Sequence, residues 1–280
     1  MKAPKRARWR DARRGICNIC GNPGPLTDDH VPPKGSVEPT ARDLANLTHY
    51  LGQEMVKPVL MQSGIKFRSL CRRCNVELLG SQYDPHLNAL SKKAASLLRA
   101  ARYLAVSDKT ALRVRPQRIA RAIIGHLLAV EIRDNMATAP MSAPFQDTLR
   151  KYFLDPSAPL PCSVDVRYWV YSEDAQVIIR GFGIVSIRRK GILVCDLIKY
   201  FPLAFLVIFE PDPQLALRPH ALMPDRALDL DDEVDLVLEL ATRPRTGWPE
   251  QPDDDEFVLF NDSIAYIAPA TARGQPTLDT

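Results

Sequence analysis

The sequence predicts an α+β fold in three parts: a cysteine-knuckled N-terminal module, a helical middle and an antiparallel-sheet C-terminal region. Three observations carry it. Two C-x-x-C pairs, Cys17/Cys20 and Cys71/Cys74, lie near the front of the 280-residue chain. Apolar stripes at helical spacing occupy residues 88–135, and runs rich in β-branched residues follow. A hydrophobic fraction of 46% with 25% charged residues is enough for a packed core. The longest apolar run, Leu203 to Phe209, is far shorter than the ~20 residues that cross a bilayer. With no apolar leader at the N-terminus, a cytoplasmic protein without membrane contact is expected. The expected divisions are a basic arm at 1–14, the knuckled domain at 15–90, a helical segment at 91–138, and an α+β domain with acidic loops at 139–280.

Charge divides the chain. Residues 1–150 carry 25 basic and 12 acidic side chains (+13), residues 151–280 carry 12 and 21 (−9), and the two sum to the net +4. Clustered Lys and Arg release counterions from a phosphate backbone, so the front half points to a polyanion partner. The arm to Gly15 alone holds seven basic residues, Arg13 and Arg14 among them, with Trp9. A solvated basic face without a ligand is the competing reading.

The cysteines are more specific. Two thiolates three residues apart grip one face of a tetrahedral ion when the turn between them is tight, and Gly21 after the first pair suits that turn. The second pair completes the tetrahedron, so Cys17, Cys20, Cys71 and Cys74 read as a structural Zn²⁺ site in a compartment where thiols stay reduced. A redox-active C-x-x-C belongs to a βαβ unit, and no such unit is evident. Cys162 and Cys195, in apolar strand-like surroundings, read as small buried hydrophobes.

Between the knuckles lies Asp28-Asp29-His30-Val31-Pro32-Pro33-Lys34. A carboxylate beside an imidazole can hold a hard cation while the ring takes a proton from water.

The combination Cys-x-x-Cys, Asp-His-Val-Pro-Pro-Lys, Cys-x-x-Cys-Asn over residues 15–90 resembles the HNH endonucleases, ββα-metal nucleases with a four-cysteine zinc site. The resemblance implies a hairpin and a helix around a divalent cation, Mg²⁺ or a similar ion, hydrolysing DNA. On that pattern His30 is the general base, and Asp29 and Asn75 are cation ligands. Arg72, Arg73 and Lys34, with Arg13 and Arg14 from the arm, are assigned to DNA binding. The family context implied is restriction or phage defence. The rival expectation is a non-catalytic zinc-stabilised nucleic-acid-binding or adaptor module.

The sequence departs from the pattern twice. The family's loop-orienting asparagine is absent from Ser63 to Leu70, which leaves that role unassigned. The stretch from Arg42 to Met61 reads as an inserted helix, with Leu44, Leu47, Leu51 and Met55 at helical spacing and His49 on its surface. His86 could join the cation only if the chain reversed near Pro85, because an unbroken helix puts it ~16 Å along the axis from Asn75. His126, in an apolar helix, reads as structural.

Farther on, Arg113, Arg115, Arg118 and Arg121 form a second basic cluster that could extend the DNA track. Strands are expected at 164–171, 175–179, 183–188, 191–198 and 203–209. The acidic stretches 225–239 and 250–256 could bind metal, cover the basic half or be solvated loops, with the last as the default. The C-terminal region is where a protein partner or a second copy would dock.

Overall fold

In the computed structural model, which describes residues 13–47, 58–101, 109–130, 141–187, 190–212, 219–239, 244, 246–252, 255–259 and 265–269, the front of the chain forms a three-stranded antiparallel sheet. Its strands are β1 (Arg14–Ile16), β2 (Pro23–His30) and β5 (Lys66–Cys71), in the order β1-β2-β5. Directly after β5 the chain enters a π-helical stretch, α1 (Arg73–Tyr83), which passes into α2 (Asp84–Ala100). The backbone stays helical through the junction, with both Tyr83 and Asp84 in the right-handed helical region.

Between β2 and β5 the chain leaves this small sheet. Residues expected to form a helix instead give two strands, β3 (Arg42–Asn46) and β4 (Val59–Met61), paired antiparallel with Arg42 opposite Met61. The physical reason lies in β3, where Arg42, Leu44 and Asn46 are buried and the residues between them are less so. That is the period of a strand, disguised because two of its inward positions are polar. Leu51, Met55 and His49 lie outside the described residues.

Strands β3 and β4 belong to the nine-stranded antiparallel sheet of the C-terminal region, whose order is β11-β7-β10-β9-β8-β14-β3-β4, with β13 on β8. The members not yet given are β7 (Val164–Val170), β8 (Gln176–Ser186), β9 (Gly191–Tyr200), β10 (Leu203–Phe209), β11 (His220–Ala221), β13 (Glu256–Leu259) and β14 (Ala265–Ala268). The expected strands at 175–179 and 183–188 are one strand, β8. A register shift between Ile179 and Phe182 accommodates Arg180 and Gly181 while both halves stay bonded to β9. Along β10, Leu203, Phe205, Val207 and Phe209 join one hydrophobic cluster, and Ala204, Leu206 and Ile208 join another. Both faces are covered, which is why the strand is apolar at every position.

The helical middle is interrupted. Strand β6 (Lys109–Val114) separates α2 from α3 (Pro116–Ala129) and pairs antiparallel with β12 (Val234–Glu239). Helix α3 is buried on every side, as expected of a helix apolar around its circumference. Its last carbonyls are met from three directions: Leu127 by Arg180, Leu128 by Asn18 at 3.1 Å, and Ala129 by Ser69. The first knuckle, β5 and β8 are thereby tied to one helix end. Helix α4 (Gln146–Leu154) packs beside it, and Arg150 of α4 donates to the Asn18 carbonyl at 2.7 Å.

Gly125 marks the closest approach in this packing. A β-carbon there would lie 2.6 Å from Phe153 Cε2 and 2.8 Å from Leu79 Cδ1. Gly→Ala in a helix ordinarily stabilises by roughly 1 kcal/mol. Gly125→Ala is expected to do the reverse, losing about 1–3 kcal/mol through overpacking, read as a lower urea midpoint at unchanged slope.

Of the two remaining cysteines, Cys195 is buried as expected, whereas Cys162 is exposed. Cys162 precedes β7 in a proline-flanked turn and not in an apolar strand.

Candidate functional site

The four sulfurs of Cys17, Cys20, Cys71 and Cys74 lie within 4.8 Å of one another and form a cluster able to hold a metal ion. Cys20 Sγ and Cys71 Sγ are 3.8 Å apart. A tetrahedron with Zn–S bonds of ~2.3 Å has edges of ~3.8 Å, so this spacing is compatible with a zinc site and far beyond a disulfide bond. The first knuckle is closed by backbone bonds, Gly21 N–H to the Cys17 carbonyl at 2.9 Å and Cys17 N–H to the Asn22 carbonyl at 3.0 Å. Gly21 sits at φ +73°, a conformation that favours glycine. The second knuckle spans the end of β5 and the start of α1. A hydrogen bond from Cys74, helped by backbone donors, holds the Cys17 thiol down at about 4, and the same contact pushes Cys74 up. Burial raises Cys20.

His30 ends β2, half-buried, with Lys66 opposite it in register. Burial lowers its pKa from the ordinary 6.5, and the positive charges of Lys66 and Lys34 act in the same direction. Its ring hydrogen-bonds the Ser63 backbone, which favours the charged form without reversing the shift. The loop from Ser63 into β5 therefore orients this histidine through a main-chain atom. No side-chain signal marks such a role, which is why it is unassigned in the sequence. Gly64, beside Pro39 and the His30 ring, sits at φ +78°, a conformation that favours glycine.

Asn75, in the first turn of α1, donates through Nδ2 to Thr27 Oγ1 at 2.9 Å and to the Asp28 carbonyl at 3.1 Å. The Thr27 hydroxyl donates onward to the Leu70 carbonyl at 2.9 Å, so Thr27 Oγ1 accepts and the orientation of the Asn75 amide is fixed. Asn75 clamps the helix start to β2 just ahead of His30. Asp28 pairs with Arg68, Oδ1 to Nε at 2.8 Å.

Asp29 departs from expectation. Its side chain is 6% exposed, and Oδ2 lies 2.8 Å from His126 Nδ1. The other ring nitrogen, Nε2, lies 2.9 Å from Asp84 Oδ1. Two carboxylates flank a fully buried imidazole, and although burial works against charge their fields push His126 up to about 10. A charged ring donates from both nitrogens, and the triad Asp29–His126–Asp84 joins β2, α3 and α2. Oδ2 of Asp29 is thus engaged by His126, a histidine that sequence spacing could not connect to it.

His86 is also placed apart. Because the chain does not reverse near Pro85, His86 stays on α2 and lines a small pocket of about 150 Å³ with Arg113, Arg115 and Glu233. Among the described residues the four cysteines are the one cluster of this kind.

Arg72 and Arg73 are exposed on the second knuckle, with Arg72 only 3.9 Å from Glu77. Arg13, Arg14 and Lys34 are exposed too, while the arm at 1–12 lies outside the described residues. The second basic cluster is already answered by acids of the C-terminal half. Arg113 faces Glu233 and Asp235 at 3.6 and 3.5 Å, Arg115 faces Glu233 at 3.4 Å, and Arg118 holds Asp231 at 2.7 Å. Arg121 is buried, donating to the carbonyls of Asp155, Pro156 and Ala158. Within the acidic stretch 225–239, residues 234–239 form strand β12, and the exposed acids Asp231, Glu233 and Asp235 face this basic cluster.

No family model, no curated protein and no solved structure matches the chain. Among the described residues no helix is long and apolar enough to cross a membrane.

Proposed function

We propose that this chain is a DNA endonuclease of the HNH kind, hydrolysing phosphodiester bonds with His30 as general base beside a structural zinc. The observation that carries the reading is the state of His30: an accessible ring at a strand end, held by the Ser63 backbone and kept neutral by burial and two lysines. A neutral imidazole can take a proton from an attacking water, and Lys66 and Lys34 place positive charge where a phosphate would lie. Arg72, Arg73, Arg13 and Arg14 would hold flanking phosphates, which positions the strand without reading its sequence. Asp29, whose Oδ2 is engaged by His126, and Asn75 are the residues that would hold a divalent cation, which would polarise the phosphate when bound.

The test is nicking of supercoiled plasmid with Mg²⁺ and with EDTA. His30→Ala is expected to lower the rate by at least about 100-fold, the low end of general-base contributions, with zinc content and melting unchanged. The base works when neutral and its pKa lies below 6.5, so the rate should climb with pH at acid values and be flat by pH 7. Lys66→Gln removes a charge that disfavours the imidazolium, and should move the climb to higher pH. Undiminished cutting by purified His30→Ala removes the base from this account.

A second reading has its own support. With Asp29 closed onto His126, the module could be a zinc-stabilised nucleic-acid-binding or adaptor domain without catalysis. DNA binding in the absence of any cutting, with every divalent cation tried, selects it.

A further inference from the structure

Large apolar side chains left exposed are ordinarily scattered singly over a protein surface, but here they gather. Of the nine among the described residues, five lie on one corner of the large sheet: Met141, Ile187, Ile192, Phe257 and Leu259, from 38% to 64% exposed. The register makes them neighbours. Val185 of β8 stands directly opposite both Phe257 of β13 and Ile192 of β9, and Gly183 stands opposite Leu259. At Gly183 a β-carbon would lie 3.0 Å from Ile192 Cδ1 and 3.3 Å from Met141 Cε, so both side-chain tips close over the glycine. Ile187 continues the row from Val185, and its N–H donates to the Asp255 carbonyl at 2.9 Å.

The other face of the same strands is buried, with Ile184, Leu193 and Cys195 in the second hydrophobic cluster and Val258 packed against it. Farther along the exposed face, the facing pair Ile178 and Ile198 joins the first cluster, which contains α3. The cover ends between Val194, which packs against that cluster, and Ile192, which does not. Beyond β8 the sheet stops at β13, which has no strand on its far side among the described residues. Charge frames the bare corner. Glu256 turns to the buried face, where Trp248 Nε1 donates to its Oε2 at 3.2 Å, so alternation puts Asp255 on the face of Phe257 and Leu259. Lys190 stands exposed in the turn from β8 to β9. Each has like charges beside it in sequence, Asp253 and Asp254 before the one and Arg188 and Arg189 before the other.

We propose that this corner is the contact between two copies of the chain, packed sheet on sheet about a two-fold axis that runs along β8. Rotation about that axis lays β13 of one copy over β9 of the other and keeps the β8–β9 turns at the same end. Phe257 then meets the partner's Ile192, Asp255 meets the partner's Lys190, and each contact occurs twice. An axis across the strands would part the turns and leave acid and base unmatched. At ~200 Å² for a large apolar side chain, the five exposed shares amount to roughly 450 Å². Homodimer interfaces are about 65% apolar, so each copy buries roughly 700 Å², within the standard range for a specific contact. The contact is independent of the nuclease reading.

Sedimentation velocity of the full-length, zinc-loaded chain between about 1 and 100 μM should show a monomer–dimer equilibrium. Ile192→Glu and, separately, Phe257→Glu, both at exposed positions, should weaken the dimer at least about thirtyfold, the loss expected of one central anchor, at unchanged melting temperature. If either melts low, Ile187→Glu at the most exposed of the five positions takes its place. Lys190→Asp should weaken the dimer too, and adding Asp255→Lys should restore it, because the two charges exchange places across the axis. A chain that remains monomeric throughout this range overturns the proposal, whatever other protein it captures. A dimer that survives the glutamates also overturns it, since the contact then lies elsewhere, and a double charge exchange that fails to restore the dimer overturns the arrangement of β13 over β9.

Discussion

Cys17→Ser is expected to reduce bound zinc from one per chain to near none and to unfold the front of the molecule. The sulfur it removes is one whose pKa Cys74 holds down, and it sits beside Asn18, whose amide and carbonyl reach α3 and α4. Structural zinc contributes on the order of 10 kcal/mol or more to the fold that makes its site, so three thiolates and a hydroxyl are a poor substitute. Zinc released to a chromogenic chelator after thiol modification measures the stoichiometry. A variant that keeps its full zinc and melts normally would rule out the four-cysteine site.

His126→Ala carries the second large effect, a loss of about 3–5 kcal/mol, because it strands the buried Asp29 carboxylate and the partly covered Asp84, which now share one cation. A cavity in a helix with no exposed face adds to the cost. The pH dependence follows from the direction of the shift. His126 titrates near 6.5 in an unfolded chain and at about 10 here, so its contribution is complete below pH 6.5 and is lost as the pH rises toward 10. Urea midpoints of zinc-loaded protein at pH 6, 8 and 10 should fall for the natural chain more steeply than for His126→Gln. Parallel curves would mean that the imidazole is neutral in the fold.

What could be read in the residues was local. Four cysteines declare themselves because each knuckle is four residues long and the chemistry needs no partner outside it. The strands 164–209 were legible because alternation and β-branching act over a handful of positions. The Asp29–His126–Asp84 triad joins residues far apart in the chain, and nothing near His126 in its apolar helix announces a charge. Strand β3 was read as helix because Leu44 and Leu47 have helical spacing, while the positions that set its true period, Arg42 and Asn46, are polar and owe their burial to Asp174 and to β14. The β6–β12 ribbon lay nearer to view. Arg113 and Arg115 alternate with apolar residues, as do Glu233 and Asp235, and two such stretches of opposite sign make a matched pair of strands.

The pairing of β3 with β14 has a mechanical meaning. Asn46 lies opposite Tyr266, and the Asp43 N–H reaches the Pro269 carbonyl at 3.2 Å. The segment that carries Ser63 therefore hangs from a seam stitched by the far end of the polypeptide. Trimming the tail back past Ala265 would free that seam and let the His30 ring swing, so the N-terminal quarter would make a poor stand-alone unit.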